Sequence, residues 1–186
     1  IRAHPLRFVC VSQGEITRVV TLDTSGTTGA PKRLYFTAED QELTVDFFQV
    51  GMSTFTRPGD RVLILLPCAR AGSVGDLLAQ ALARMGAEGI RHGPVRDVAA
   101  TLDVMARSQA RGLVGIPSQV LALARAPAQP EALALRFALL TTDHVPRAIV
   151  KAVEAAWGCT AYNHYGMTEM GLGGGVDCAA RRGYHL

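Results

Sequence analysis

The sequence predicts an α/β fold in which a mostly parallel sheet has helices on both faces. Short apolar runs alternate with longer segments whose apolar residues recur at helical spacing, and this order repeats along most of the 186 residues. The run RVLILLP is apolar without alternation, which is typical of a strand buried on both faces of a parallel sheet. Right-handed crossovers are expected to connect such strands.

The first two predicted strands flank a loop that is rich in glycine and threonine. They cover residues 16–22, with the sequence ITRVVTL, and residues 33–36, with the sequence RLYF. A helix is predicted next, because Thr37 and Asp40 have the spacing of a capping box. The apolar face of this helix is predicted from residues that recur at helical spacing, which are Leu43, Phe47 and Val50.

Strands and helices are predicted to alternate along the rest of the chain. The later strands cover residues 61–67, 87–93, 112–116, 136–142 and 159–166. The later helices cover residues 73–86, 95–109, 118–126 and 146–158, with Pro146 in the first turn of the last helix. Ligands of such sheets bind outside the carboxyl ends of the strands. The loops expected at that edge follow Leu22, Leu66, Thr141 and Asn163.

The composition indicates one globular domain with small-molecule partners. Hydrophobic residues make up 48% and charged residues 19%, which excludes a disordered or low-complexity chain. The net charge is +3 with scattered Lys and Arg, so we expect no nucleic-acid partner, and no apolar run has the length of a membrane span. The cysteines form no CxxC pair, which indicates reduced thiols and a cytoplasmic location.

The loop from Thr24 to Lys32 is the first candidate site, and it has the sequence TSGTTGAPK. Closely spaced glycines let successive backbone N–H groups converge on an anion, while hydroxyl groups and a lysine add donors and charge for phosphate oxygens. The loop is not a Walker loop, because Ala-Pro-Lys-Arg follows Gly29 and a strand is predicted next. It is a candidate phosphate loop, and the alternative is an ordinary turn.

A second motif, which reads YGMTE from Tyr165, lies far downstream and precedes a glycine-rich segment that ends in GYH. The two motifs together resemble those of the adenylate-forming enzymes, which include acyl- and aryl-CoA ligases, luciferases and peptide-synthetase adenylation domains. The tail resembles the phenylacetate-CoA ligase branch. The resemblance spans about residue 16 to the end, and it implies that residues 1–186 are part of the large N-terminal AMP-binding domain, without the C-terminal lid.

This resemblance implies an activity that uses ATP, Mg2+ and coenzyme A. In the family, a carboxylic acid attacks the α-phosphate of ATP to give an acyl adenylate and pyrophosphate, and a thiol then displaces AMP. The implied partners are a small carboxylic acid and CoA, and a homodimer is compatible with the resemblance. Two alternatives stay open, namely transfer to a carrier-protein thiol and a non-catalytic nucleotide-binding subunit.

The implied site residues lie on the two motifs. Binding of the β- and γ-phosphates is assigned to the first motif, at Thr24, Ser25, Gly26, Thr27, Thr28, Gly29 and Lys32. In the second motif, Tyr165 beside Gly166 would stack on adenine, Thr168 would hydrogen-bond the α-phosphate, and Glu169 would hold Mg2+. Lys32, Thr168 and Glu169 are the candidate catalytic residues. The alternatives are a core tyrosine and a threonine that caps the following turn.

Asn163 and His164 precede the second motif and have two readings each. Asn163 could reach the edge of adenine, or it could be an ordinary residue at the end of a strand. Alternation along the strand places His164 on the face opposite to Tyr165, where it would line an acyl pocket or be a satisfied buried histidine. The sequence departs from the family at residues 68–73, which include Arg70, and at residues 141–144, where a Gly-Ala-Glu turn is usual.

Cys178 and His185 raise a zinc hypothesis, because some members of the phenylacetate branch have such a pair here. Zinc prefers four ligands, so Cys68 or His92 would have to lie close to the pair. The alternative is a buried thiol and a surface imidazole.

Overall fold

The structure is a computed structural model that describes residues 4–22, 32–127, 133–167 and 170–185. The strands are β1 (Ile16–Leu22), β2 (Lys32–Thr37), β3 (Arg61–Leu65), β4 (Glu88–Arg91), β5 (Gly112–Gly115), β6 (Phe137–Leu140), β7 (Thr160–Tyr165) and β8 (Gly175–Val176). The helices are α1 (Ala38–Ser53), α2 (Val74–Arg84), α3 (Val98–Ser108), α4 (Pro117–Ala124) and α5 (Arg147–Trp157). Short 3-10 turns at Pro5–Phe8 and Gln13–Glu15 precede β1.

Within the described residues, the main sheet has six strands in the order β4-β3-β5-β6-β7-β8. Neighbouring strands from β4 to β7 are parallel, and β8 pairs with β7 in the antiparallel direction. The predicted α/β class with a mostly parallel sheet is confirmed. β8 lies in the glycine-rich tail and was not predicted.

Apolar side chains cover both faces of this sheet. Along β3, Val62 and Ile64 pack in one cluster, and Leu63 and Leu65 pack in the other. The first cluster includes residues of α1 and α2, and the second includes residues of α3, α4 and α5. All four of these β3 side chains are fully buried. The predicted placement of helices on both faces is therefore confirmed, and it explains why this strand is apolar without alternation.

The strands β1 and β2 form a two-stranded antiparallel sheet of their own. The prediction that the loop after Leu22 follows a strand of the parallel sheet is therefore wrong. Residues 23–31 are too few for the crossover of a dozen or more residues that parallel neighbours require, so the two strands pair with each other. The side chain of Arg18 on β1 donates to the carbonyl of Ala71, which ties this small sheet to the loop after β3.

The capping box at the start of α1 is confirmed. The backbone N–H of Thr37 donates to Asp40 Oδ2 over 2.8 Å, and the N–H of Asp40 donates to Thr37 Oγ1 over 3.1 Å. The predicted apolar face is wrong at two of its three residues, because Leu43 is 60% exposed and Val50 is 71% exposed. The third, Phe47, is partly buried and packs against the first cluster. The helix instead buries a neighbouring stripe of side chains, which are Thr44, Val45, Phe48 and Met52.

Pro146 lies one position earlier than predicted. It is the N-cap residue of α5, before the first helical turn. Among the described residues, no helix combines the length and the apolar character that a membrane crossing needs.

Candidate nucleotide site

Two loops at the carboxyl ends of adjacent parallel strands contain residues with left-handed backbone conformations. Thr142 follows β6 and has a φ angle of 72°, and Leu172 follows β7 with a φ angle of 81°. Such conformations are uncommon for residues other than glycine and concentrate at functional sites. This edge of the sheet is where ligands of open α/β folds bind, and it contains the second sequence motif.

Tyr165 is the last residue of β7, and its ring is presented to solvent. The side chain is 48% exposed, so it is not part of the core. A Cβ atom at Gly174 would lie 3.1 Å from the Tyr165 ring, so the absence of a side chain there makes room for the ring. The phenol oxygen lies 3.9 Å from the Met167 sulfur. An exposed, supported aromatic face is the feature that a stacked base requires.

Tyr184 contacts a polar and an aromatic side chain of β7, and it was not among the predicted site residues. Its ring centroid lies 5.9 Å from that of Tyr165 at an interplanar angle of 42°. Its hydroxyl oxygen accepts a hydrogen bond from Asn163 Nδ2. The only sequence signal for this residue is its place in the GYH tail.

Asn163 lies on the same face of β7 as Tyr165. Its carbonyl accepts from the N–H of Asp177 over 2.8 Å, which extends the pairing of β7 with the tail. Among the described residues, Asn163 Oδ1 has no hydrogen-bond partner. No described residue therefore occupies the acceptor end of this amide, on the same face of β7 as the Tyr165 ring.

His164 points to the opposite face, as strand alternation predicts. Its Nδ1 lies 2.8 Å from Thr141 Oγ1, and its ring contacts Phe47 and Phe48 at centroid distances of 5.9 and 6.3 Å. Burial lowers the pKa of His164 to about 4, so the ring is neutral at pH 7. His164 Nε2 is buried without a partner within the described part of the chain, so the histidine is only half satisfied.

The chain folds back closely after β7, and this requires glycine at two positions. A Cβ atom at Gly166 would lie 2.4 Å from the carbonyl oxygen of Leu172. A Cβ atom at Gly173 would lie 2.4 Å from the Phe47 ring. The turn is also held by Thr44 Oγ1, which donates to the carbonyl of Gly171 over 2.9 Å. Gly166 of the second motif and Gly173 of its tail therefore serve close packing.

A pocket of about 490 Å³ connects the flanks of the two motifs. It is lined by residues of β2, of α1 and of the turn after β7, which include Leu34, Phe36, Leu43, Phe47 and Met170. β2 directly follows the first motif, and Met170 directly follows the second. The fold thus brings together segments that are more than one hundred residues apart in the sequence.

Several predicted site residues lie outside the described residues. They are Thr24, Ser25, Gly26, Thr27, Thr28, Gly29, Thr168 and Glu169. Lys32 is the first residue of β2, and only its backbone is described. The phosphate, catalytic and Mg2+ roles of these residues therefore stay predictions.

The two predicted zinc ligands lie together. His185 Nε2 is 3.0 Å from Cys178 Sγ, and Cys178 is half-buried. Among the described residues, no group of three or more His, Cys, Asp or Glu side chains could hold a metal ion. A pair of ligands does not fit a structural zinc site, which needs four.

Cys68 and His92 cannot complete this pair, so that part of the hypothesis is wrong. Cys68 follows β3, near Gly93, and His92 follows β4. The Cys178–His185 pair lies beside β8, at the opposite edge of the sheet. Four strand spacings separate β3 from β8, which corresponds to a distance on the order of 20 Å.

One of the two segments that depart from the family pattern, the turn at residues 141–144, contacts the candidate site through Thr141. Thr141 hydrogen-bonds His164, and the N–H of His144 donates to Asp143 Oδ1 over 2.7 Å. Arg70, in the loop after β3, is exposed.

Solved structures with the same fold include acyl- and aryl-CoA ligases. A 2-hydroxyisobutyryl-CoA ligase in complex with its acyl adenylate and CoA is 20% identical, with a TM-score of 0.78 over 95% of this chain and 42% of that chain. An anthranilate-CoA ligase is 20% identical, with a TM-score of 0.71 over 89% of this chain and 32% of that chain. A benzoate-CoA ligase from Burkholderia xenovorans is 19% identical, with a TM-score of 0.68 over 83% and 32%.

These likenesses show the fold, and the chain spans less than half the length of each of these ligases. No curated protein matches the sequence. The AMP-binding enzyme family, in contrast, matches residues 19–183, which include both motifs and nearly the whole chain. By this match, the chain belongs to the AMP-binding enzyme family.

Proposed function

We propose that this chain is the nucleotide-binding part of an AMP-forming carboxylate:CoA ligase, similar to the phenylacetate-CoA ligases. A carboxylate oxygen of the acid attacks the α-phosphorus of ATP, and the bond to the β-phosphate breaks to release pyrophosphate. The CoA sulfur then attacks the acyl carbon, and AMP leaves. The likeness to the phenylacetate branch is supported by the tail that ends in Gly183, Tyr184 and His185.

The main observation in support of this proposal is that Tyr165 and Asn163 lie on one face of β7, at its carboxyl end. The Tyr165 ring is half exposed, and Asn163 Oδ1, which has no hydrogen-bond partner among the described residues, lies on the same face of the strand. An aromatic face binds any base by stacking, and an amide at its edge adds a directional contact. In a chain of the AMP-binding enzyme family, we assign this surface to the adenine of ATP.

For the phosphates, we propose the roles that the two motifs imply. The loop that precedes β2 would bind the β- and γ-phosphates through its N–H groups, its hydroxyls and Lys32. Thr168 would hydrogen-bond the α-phosphate, where negative charge increases in the transition state. Glu169 would hold Mg2+, which neutralises phosphate charge when it is bound. The pocket between β2, α1 and the turn after β7 supports this arrangement, because it brings the flanks of both motifs together.

Two other functions remain candidates. The acyl group could pass to a carrier-protein thiol, and the chemistry of the first step would then be unchanged. Alternatively, the chain could be a non-catalytic nucleotide-binding subunit. A homodimer and a cytoplasmic location also stay predictions, which light scattering and cell fractionation would test.

The experiment that separates these functions uses the full-length protein that contains this chain. It is incubated with MgATP, CoA and a panel of aryl, aliphatic and dicarboxylic acids, and mass spectrometry detects AMP and acyl-CoA. The dicarboxylic acids are included because the arginine Arg70, which is exposed in the loop after β3, could pair with the second carboxylate of such an acid. Acyl-CoA with AMP supports the ligase, and acid-dependent AMP release without acyl-CoA supports another thiol acceptor. ATP binding without turnover supports the non-catalytic subunit, and a failure to bind ATP refutes all three.

A further inference from the structure

We propose that Tyr184 is a positioning residue that sets the orientation of the Asn163 amide and thereby favours adenine over bases with an oxo group at position 6. This inference rests on the proposed binding of ATP at Tyr165. It extends that proposal to a residue outside both motifs and to the choice between nucleotides.

Tyr184 is connected to both groups that would contact the base. Its hydroxyl oxygen accepts a hydrogen bond from Asn163 Nδ2, and its ring packs at a tilt against Tyr165 with centroids 5.9 Å apart. Both tyrosines are about half exposed, at 48% for Tyr165 and 45% for Tyr184. Tyr184 therefore lies at the edge of the proposed stacking surface and leaves a part of the Tyr165 ring open.

Backbone contacts hold Tyr184 in this position. Its neighbour His185 exchanges two backbone hydrogen bonds with Val176 on β8, over 3.0 and 2.9 Å. The next residue after β8, Asp177, donates its N–H to the carbonyl of Asn163 over 2.8 Å. The segment between Asp177 and Tyr184 therefore returns the chain to β7.

Side-chain contacts anchor the same returning segment. Arg181 forms an ion pair with Glu154 on α5. Cys178 Sγ lies 3.0 Å from His185 Nε2, which links the two ends of the segment. A hydroxyl group that is fixed by such contacts can fix the amide that it binds.

The orientation of the Asn163 amide decides which base its free end can recognise. An amide has an acceptor end, Oδ1, and a donor end, Nδ2. Because Tyr184 accepts from Nδ2, the end of the amide that is left to contact a base is Oδ1, which has no partner in the part of the chain that the structure describes. The exocyclic amino group of adenine is a donor and matches this oxygen, whereas the oxo group of hypoxanthine or guanine is an acceptor and opposes it. A rotated amide would reverse this preference.

The test compares MgATP with MgITP, because the two bases differ at position 6, where inosine has an oxo group. Dissociation constants of both nucleotides are measured by calorimetry on the full-length protein and on Tyr184→Phe. This variant keeps the ring beside Tyr165 and removes only the hydroxyl. We expect ATP affinity to fall about 3- to 10-fold, from the usual net contribution of one hydrogen bond, while ITP affinity stays the same or rises.

Two further variants separate positioning from folding. Tyr162→Phe removes a phenol hydroxyl from the same strand, in a buried ring that stacks on Phe55, and should leave the ATP/ITP ratio unchanged. Asn163→Asp presents acceptor oxygens in either orientation, so adding Tyr184→Phe to it should no longer change the ratio.

Three results would overturn this inference. One is an unchanged affinity for both nucleotides in Tyr184→Phe, and another is an equal loss of affinity for both, which leaves the ATP/ITP ratio unchanged and indicates a structural role. Either result leaves the proposed function intact if the wild-type protein binds ATP. The third is a wild-type protein that binds neither nucleotide, which refutes the proposed function and this inference together.

Discussion

Replacing Tyr165 by alanine removes the aromatic face that the proposed function assigns to adenine. The ring is 48% exposed and is supported by the backbone at Gly174 and by the Tyr184 ring. We expect the variant to bind MgATP more weakly while it keeps its fold. The matched control variant is Tyr165→Phe, which keeps the aromatic ring and removes only the hydroxyl.

The exposure of Tyr165 determines how much ATP affinity and how much folding stability the alanine variant should lose. Stacking of a base on an aromatic side chain contributes about 1–3 kcal/mol in alanine substitutions, which corresponds to an increase of about 5- to 150-fold in the dissociation constant. Truncation of a fully buried aromatic residue costs about 3–5 kcal/mol of folding stability. For a half-exposed ring, we expect about 1–2 kcal/mol. The folded state should therefore survive, and the loss of affinity can be measured on it.

The assay is isothermal calorimetry of MgATP binding to the full-length protein, with thermal melts of each variant as a check of folding. Tyr165→Phe should bind within about twofold of the wild type, because phenylalanine preserves the stacking face. Val50→Ala is a control for truncation of an exposed apolar side chain, since Val50 is 71% exposed on α1. It should bind ATP with unchanged affinity.

An unchanged ATP affinity in folded Tyr165→Ala would refute the assignment of this ring to the base. A loss of affinity in Tyr165→Phe as large as that in the alanine variant would also contradict the reasoning. It would show that the hydroxyl, and not the ring face, makes the contact.

Three further predictions concern the motifs and the buried histidine. Lys32→Ala and Glu169→Ala should each weaken MgATP binding in calorimetry, and unchanged affinity in both would refute their phosphate and Mg2+ roles. Gly166→Ala should lower the thermal midpoint, because its Cβ would lie 2.4 Å from the carbonyl oxygen of Leu172, and an unshifted midpoint would contradict that close approach. Burial lowers the pKa of His164 to about 4, below its ordinary value of 6.5, so the unfolded chain binds its proton first as the pH falls. The unfolding free energy should therefore decrease between about pH 6.5 and 4 relative to His164→Gln, and equal urea midpoint shifts in both proteins would argue against a buried neutral ring.

The order of strands and helices was predictable from the sequence, because the buried parallel strands have a strong pattern. The segment RVLILLP occupies the middle of a sheet covered on both faces, so nearly every position is apolar. The capping box at Thr37 and Asp40 was equally clear, since it depends on residues within one turn.

The buried face of α1 could be predicted only in part, because two overlapping stripes both have helical spacing. Leu43 and Val50 are larger and more apolar than Thr44, yet Thr44 is buried and they are exposed. The choice is made by the position of the helix against α2 and the sheet, which is a tertiary effect. The pairing of β1 with β2 likewise depends on the length of their connection, which the α/β pattern alone does not consider.

Site residues that are close together in the sequence could be predicted. A site residue that comes from a distant segment of the chain could not. Tyr165 and Asn163 belong to one strand, so the alternation along it placed them on one face. Tyr184 reaches them only because the tail folds back along β8. The zinc hypothesis was wrong about Cys68 and His92 for the same reason, since the strand order separates them from Cys178.

We propose above all that the full-length protein activates a carboxylic acid as its adenylate. Isotopic exchange between labelled pyrophosphate and ATP tests this most directly, because the label enters ATP only if the acyl adenylate forms reversibly. We predict exchange that depends on one or more acids of the panel, needs no CoA, and falls strongly in Tyr165→Ala and Lys32→Ala. Tight ATP binding without acid-dependent exchange for any acid would contradict the account.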